Sequence, residues 1–363
     1  MKRLLCIVSS MDRGGAETFL MKVYRCIDRT KYQMDFCVSK TAKGFYDDEI
    51  KELGGKIYVV PQKSKNPFKS FFAIKNIVKE NKYTAVLRTS QQSLATLDLL
   101  AAKCGGAKKL IYRSSNANIT GGTFKRILNR LFSFLPKIVP NVKIAPSTEA
   151  AEFVFGKNSV KKGNVTILRN GLDYNKFEFN AETRDKLRKE LDLDNNVVFG
   201  HVGRFNVQKN HSFLLDIFNE IHKQNENARL VLIGEGELEQ DIKVKIENLG
   251  LNEYVKVLSP KSNINEYLMA FDMLIFPSFF EGMPNVIIEA QATGLKAVLS
   301  DVITKEANIT PLLTYVSLDK GAKEWSDIIL NQINYKRCSF RKEFSENGYI
   351  MQDVIDIYTE KLF

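Results

Sequence analysis

Short apolar runs alternate along the chain with longer stretches whose apolar positions recur at helical spacing. The runs fall at residues 4–9, 34–38, 56–60, 85–88, 109–112 and 142–145, and again at 197–202, 229–233, 255–258, 273–276, 297–299 and 313–316. Strand-length apolar runs separated by helical patterns predict parallel sheets covered by helices, hence an α/β fold. The two series are separated by a turn signal, ILRNGLD at 167–173, and by a charge-dense helical stretch at 180–196. Two Rossmann-like domains are therefore expected, at 1–173 and 174–340, followed by a C-terminal helix over 341–363.

Within the second series, residues 276–301 read FPSFFEGMPNVIIEAQATGLKAVLSD. Pro284 just inside a start and Gly294 just past an end predict a helix from 284 to about 293. The loop before it carries Glu281, and the helix carries Glu289. A strand's carboxyl end followed by a helix N-terminus makes a ready ligand crevice. The loop after the run at 197–202 reads GRFNVQKN, with Arg204 and Lys209 as cations and Asn210 as a helix cap. A further loop, LIGEGELE at 232–239, has Gly234 and Gly236 but lacks the third glycine of a dinucleotide fingerprint, which argues against NAD.

Taken together these strings resemble the retaining glycosyltransferases of family 4. The resemblance is strong at 200–210 and 276–301, moderate at Gly14-Gly15-Ala16-Glu17 and at 170–173, and weak between 40 and 140. It implies a glycosyltransferase B fold, two Rossmann-like domains facing across a cleft, with the C-terminal helix at 341–363 packing back on the first. Gly203, Arg204 and Lys209 would then clamp the diphosphate of a nucleotide-sugar, expected to be a UDP-sugar, and Glu281 would meet the donor sugar. Glu289 would hold the ribose hydroxyls. Gly282, Met283, Pro284, Asn285 and Val286 would offer backbone groups, and Gly14, Gly15 and Gly234 would border the same donor. Arg204, Lys209 and Glu281 are the catalytic candidates: cations placed where charge builds on the leaving diphosphate stabilise the transition state without a metal. Neither a cofactor nor a metal is expected, and Asp192-Leu193-Asp194 reads as a solvated turn. One departure stands out. Where the family often shows a His-Ser-His-Asn string, this chain reads Arg113-Ser114-Ser115-Asn116, so Arg113, Ser115 or Asn116 would supply the sugar or acceptor contact.

Composition adjusts this picture in three places. With 44% hydrophobic and 26% charged residues the chain is an ordinary globular one. The formal charge of +11 is unevenly shared, roughly +18 over residues 1–175 and about −7 over the remainder. The first half is the one to meet something anionic, and PQKSKNPFKSFFAIKNIVKENK (61–82) and FKRILNRLFSFLPKIV (124–139) join basic to aromatic residues. Each is either a core-facing helix with a solvated basic face or an interfacial helix on an anionic membrane. No stretch approaches the ~18 apolar residues of a membrane span, and the N-terminal apolar run reads as a strand. The five cysteines lack paired spacing and read as reduced, buried residues of a cytoplasmic protein.

The resulting expectation is a transferase at the inner face of the cell membrane, with a nucleotide-sugar donor and a lipid-linked saccharide acceptor. A UDP-sugar epimerase of the same fold is the alternative within enzymes. A basic nucleic-acid-binding module is the alternative outside them, and it leaves the clamp strings without a purpose.

Overall fold

The computed structural model describes residues 1–12, 14–115 and 123–363. The chain divides into two compact units, one of residues 1–172 with 348–363 and the other of residues 173–347.

Unit 1 holds β1 (Lys2–Ile7), β2 (Tyr32–Val38), β3 (Ile57–Val59), β4 (Ala85–Thr89), β5 (Lys109–Arg113), β6 (Val142–Ala145) and β7 (Thr166–Ile167). They form one parallel sheet in the order β3-β2-β1-β4-β5-β6-β7. Unit 2 holds β8 (Val197–Val202), β9 (Ala228–Ile233), β10 (Val255–Leu258), β11 (Met273–Phe276), β12 (Ala297–Ser300) and β13 (Leu313–Val316). Their order is β10-β9-β8-β11-β12-β13, again all parallel. A parallel sheet is covered on both faces, which is why its strands are nearly continuous apolar runs: β11 and β12 are buried along their whole length.

Both sheets are doubly wound and reverse direction at an equivalent place, between β1 and β4 and between β8 and β11. In such sheets ligands bind outside the carboxyl ends of the strands at that reversal. Each unit therefore presents one topologically favoured crevice of its own.

The C-terminal segment departs from a single helix over 341–363. A short helix, Arg341–Glu346, stays with unit 2, where Phe344 packs on Tyr174 at 5.3 Å between ring centroids. Gly348, at φ +68°, breaks the chain direction in a conformation that costs other residues strain. Beyond it Ile350 pairs with Leu172 in a parallel bridge, and the helix Met351–Leu362 packs on the helix Gly15–Cys26, Tyr358 lying 5.3 Å from Phe19. The charge-dense stretch at 180–196 is a helix, Ala181–Glu190, capped by Asn180 and belonging to unit 2. Its Arg184 and Arg188 each reach the carboxylate of Asp272 at 2.5 Å. Of the five cysteines expected to be buried, only Cys6 and Cys37 are; Cys26 is half-buried, and Cys104 and Cys338 are exposed.

Candidate functional site

In unit 2 the loops following β8 and β11 are joined into one surface. Gln208 accepts a hydrogen bond from the Phe279 amide at 2.9 Å through its backbone carbonyl, and its side-chain amide donates to Phe280 O at 2.8 Å. Asn210, at the start of the helix His211–Gln224, adopts a left-handed conformation with φ 55°. It does not cap that helix through its side chain, as the sequence suggests; its Nδ2 donates to Pro277 O at 3.2 Å and ties the two loops together. Asn206 instead caps the short turn Val207–Lys209.

This seam brings Lys209 to Glu281, Nζ to Oε1 at 2.7 Å, with only 14% and 9% of the two side chains exposed. The ammonium also lies 4.5 Å from the Phe276 ring centroid. An ammonium has three donors, and one is used on Glu281, so the others remain for an incoming anion. Arg204, five residues earlier in the chain, is exposed. Gly203 sits where a Cβ would come within 2.9 Å of the Lys209 chain, and Gly234 where a Cβ would be 2.0 Å from the Gly203 carbonyl oxygen. Gly234 is therefore required by the close approach of two loops, whatever else borders it. Pro284 precedes the helix Asn285–Ala292, whose N-terminal residues follow Gly282 and Met283 directly, and Glu289 is half-buried on that helix.

Beneath the seam lie two imidazoles that the sequence pattern did not single out. His201 and His211 are both buried, with centroids 4.8 Å apart, and His201 stacks on Phe276 at 5.2 Å. His201 Nδ1 donates to Ile275 O at 2.9 Å. Burial holds both rings neutral: it drives His201 well below the ordinary histidine range and, with Lys209 adding repulsion, lowers His211 to about 4. The signal for His201 was available, since it lies within the apolar run at 197–202, which reads as a strand buried on both faces.

In unit 1 the Gly14-Gly15 pair opens the helix Gly15–Cys26, and the Glu17 carboxylate folds back over Gly14. Ser115 donates to Gln91 Oε1 at 2.8 Å and lines a cavity at the ends of β1 and β4. Arg113 is not presented there. It is 2% exposed, stacks on Phe19 at 3.7 Å and donates to Asn170, and burial lowers its pKa to about 10. Its position on β5 points it into the core beneath the helices, which corrects the contact expected of it. Asn116 lies outside the described residues. Among the described residues no group of three or more metal-ligating side chains is gathered, and no helix is long and apolar enough to cross a membrane.

The family model for glycosyl transferases group 1 matches residues 196–327, the span that holds Arg204, Lys209, Glu281 and Glu289. The chain is also 32% identical to EpsF of Bacillus subtilis (strain 168), named as a glycosyltransferase, over 99% of this chain and 98% of that one. The chain belongs to the group 1 glycosyl transferases. It is 26% identical to an Escherichia coli enzyme named UDP-Gal:alpha-D-GlcNAc-diphosphoundecaprenol alpha-1,3-galactosyltransferase, over 71% of this chain and 68% of that one. Among solved structures it is similar to Anabaena HepE in complex with UDP, with a TM-score of 0.73 and 20% identity over 100% of this chain and 96% of that one. The two units thus have the paired Rossmann-like domains of the glycosyltransferase B fold.

Proposed function

We propose that this glycosyltransferase moves a sugar from a UDP-sugar to a lipid-linked oligosaccharide in cell-surface polysaccharide assembly, with retention at the anomeric carbon and without a metal. The observation that carries this reading is the joined seam after β8 and β11. There a half-sequestered Lys209–Glu281 pair and an exposed Arg204 stand at the sheet's reversal point, in front of a helix N-terminus. The requirements of a nucleotide-sugar are met group by group. Arg204 and Lys209 face the diphosphate, whose bridging oxygen gains charge as the sugar–phosphate bond breaks. Glu281, oriented by Lys209, accepts hydroxyls of the donor sugar, and Glu289 those of the ribose. The first turn of the helix Asn285–Ala292, with Gly282 to Val286, complements oxygens by its dipole. In the retaining step the acceptor oxygen bonds to the anomeric carbon on the face the phosphate leaves, and the acceptor's proton passes to the leaving phosphate oxygen.

The E. coli relative's name supplies the acceptor class, a diphosphoundecaprenol-linked sugar, and HepE's bound UDP supplies the donor class. For the membrane surface as partner, the support comes from exposed side chains of unit 1. Phe68 and Phe72 are 77% and 54% exposed on the helix Pro67–Glu80, beside Lys65, Lys69 and Lys75. Ile127, Leu131, Phe134 and Ile138 are likewise exposed, with Arg126, Arg130 and Lys137 among them. That arrangement favours the interfacial reading of both basic segments over the core-facing one. The test is a thermal-shift screen of nucleotide-sugars followed by transfer to undecaprenyl-diphosphate-linked saccharides. Stabilisation by UDP-sugars with product formation supports the reading; stabilisation by no nucleoside diphosphate contradicts it.

A further inference from the structure

The loop that carries Glu281 is held by neighbouring side chains, one main-chain group after another. Direct pairing of β11 ends at Leu274 on the β8 side, opposite Gly200, and at Phe276 on the β12 side, opposite Leu299. Beyond those points side chains take over. From the β8 side, His201 Nδ1 donates to Ile275 O at 2.9 Å, Asn210 Nδ2 to Pro277 O at 3.2 Å and Gln208 Nε2 to Phe280 O at 2.8 Å. From the β12 side, Ser300 Oγ donates to Ser278 O at 2.5 Å, and both residues are fully buried. The Phe279 amide completes the set by donating to Gln208 O at 2.9 Å. Residues 277–280 thus each have a main-chain group fixed from outside the loop, and the next residue is Glu281.

Burial alone does not require this much restraint. A buried carbonyl needs a donor, which accounts for the Ser300 bond to Ser278. Phe279 and Phe280 are 46% and 49% exposed, so water could serve their main-chain groups, yet Gln208 takes both. Loops at the end of a sheet are ordinarily among the more mobile parts of a domain. This one is gripped on both sides. Gln208 and Asn210 also flank Lys209, so the turn that fixes the loop backbone delivers the ammonium that meets Glu281 at 2.7 Å. A carboxylate held at that one contact could still swing about it. Recognising a single sugar hydroxyl requires the acceptor oxygen to be placed to within about 0.5 Å, and that requires its backbone to be fixed as well.

We propose that Gln208 and Ser300 are positioning residues for the donor sugar: gripping the loop from the β8 and β12 sides, they set Glu281 in place before the donor arrives. The proposal rests on the donor reading of this seam and names the residues that give it selectivity between sugars. The diphosphate faces Arg204 and Lys209, which lie outside the loop at 277–281, so its affinity does not depend on that loop being fixed. The affinity added by the sugar does.

The experiment is calorimetric titration of the full chain with UDP and with UDP-glucose, UDP-galactose, UDP-N-acetylglucosamine and UDP-N-acetylgalactosamine. Wild type, Gln208→Met and Ser300→Ala are compared, and the two substitutions are repeated in a Glu281→Gln background. In each single variant the affinity for the UDP-sugar that wild type binds best should fall about fivefold, the effect of one lost hydrogen bond. UDP affinity should stay within about twofold, a separation that general loosening of the fold would not produce. In the Glu281→Gln background the same substitutions should change UDP-sugar affinity by less than about twofold, because the group they position is already altered. Ser300→Ala strands a buried carbonyl; should it melt too early to titrate, Gln208→Met, in a half-buried turn, carries the comparison. UDP-sugar affinity indifferent to both substitutions, equal losses for UDP and UDP-sugar, or an undiminished loss in the Glu281→Gln background would each overturn the proposal while leaving the donor reading in place. Failure of wild type to bind UDP would overturn the donor reading, and this proposal with it.

Discussion

Lys209 and Glu281 hold each other at 2.7 Å in a partly dry seam, so removing one strands the other. Lys209→Met should destabilise the fold by roughly 1–3 kcal/mol, read by urea unfolding, because a part-buried carboxylate loses its partner. Arg204 is exposed and should behave differently. Arg204→Ala should leave stability within about 0.5 kcal/mol while weakening UDP binding on the order of tenfold or more, read by calorimetry. The buried imidazoles give a pH signature. His211 titrates at about 4 in the fold against an ordinary 6.5, and burial holds His201 well below that ordinary value too. Above pH 6.5 both states are neutral there and nothing is lost. Below it the unfolded chain takes up protons that the folded one refuses, so stability falls as pH drops from about 6.5 towards 4, by about 3 kcal/mol for His211. His211→Leu should flatten that slope in melts taken across the range; an unchanged slope would show that the ring is not held neutral.

At the scale of elements, the approach of the loops after β8 and β9 is set by glycine. Gly234→Ala places a methyl 2.0 Å from the Gly203 carbonyl oxygen, and the expected cost is about 2 kcal/mol together with weakened UDP binding, since the Gly203–Lys209 loop must shift. Melting and titration of the same variant check both. The strands were legible in the sequence because strands buried on two faces read as unbroken apolar runs, and all but one were found that way. The exception, β7, has two residues, too few to carry a pattern. The helix Asn285–Ala292 was legible from its flanking Pro284 and Gly294. What was not legible depends on residues far apart in sequence. Lys209 meets Glu281 across 72 positions, and Arg113 turns inward because Phe19 and Asn170 receive it. The C-terminal break at Gly348 was missed because helical spacing persists on both sides of it. Glu17 enters the sequence reading only as the end of the Gly14-Gly15-Ala16-Glu17 string, and only its recoil over Gly14 shows the carboxylate at the helix end.

At the scale of the whole molecule, the charge separation between the halves acts together with the exposed apolar side chains of unit 1. The full chain should sediment with vesicles containing anionic lipid, and high salt should release it, since surface charge is screened over ~8 Å at physiological ionic strength. Phe68→Ser combined with Phe72→Ser should weaken that binding several-fold without lowering the melting temperature, both rings being largely in solvent. Equal binding to neutral vesicles would contradict the role given to the basic segments. The central claim, that the seam after β8 and β11 holds the diphosphate of a UDP-sugar, is tested most directly by titrating UDP into the wild-type chain and into Arg204→Ala and Lys209→Ala. The account predicts saturable binding to wild type, weakened at least about tenfold in each variant with an unchanged circular dichroism spectrum. No binding of UDP, or equal binding by all three proteins, would contradict it.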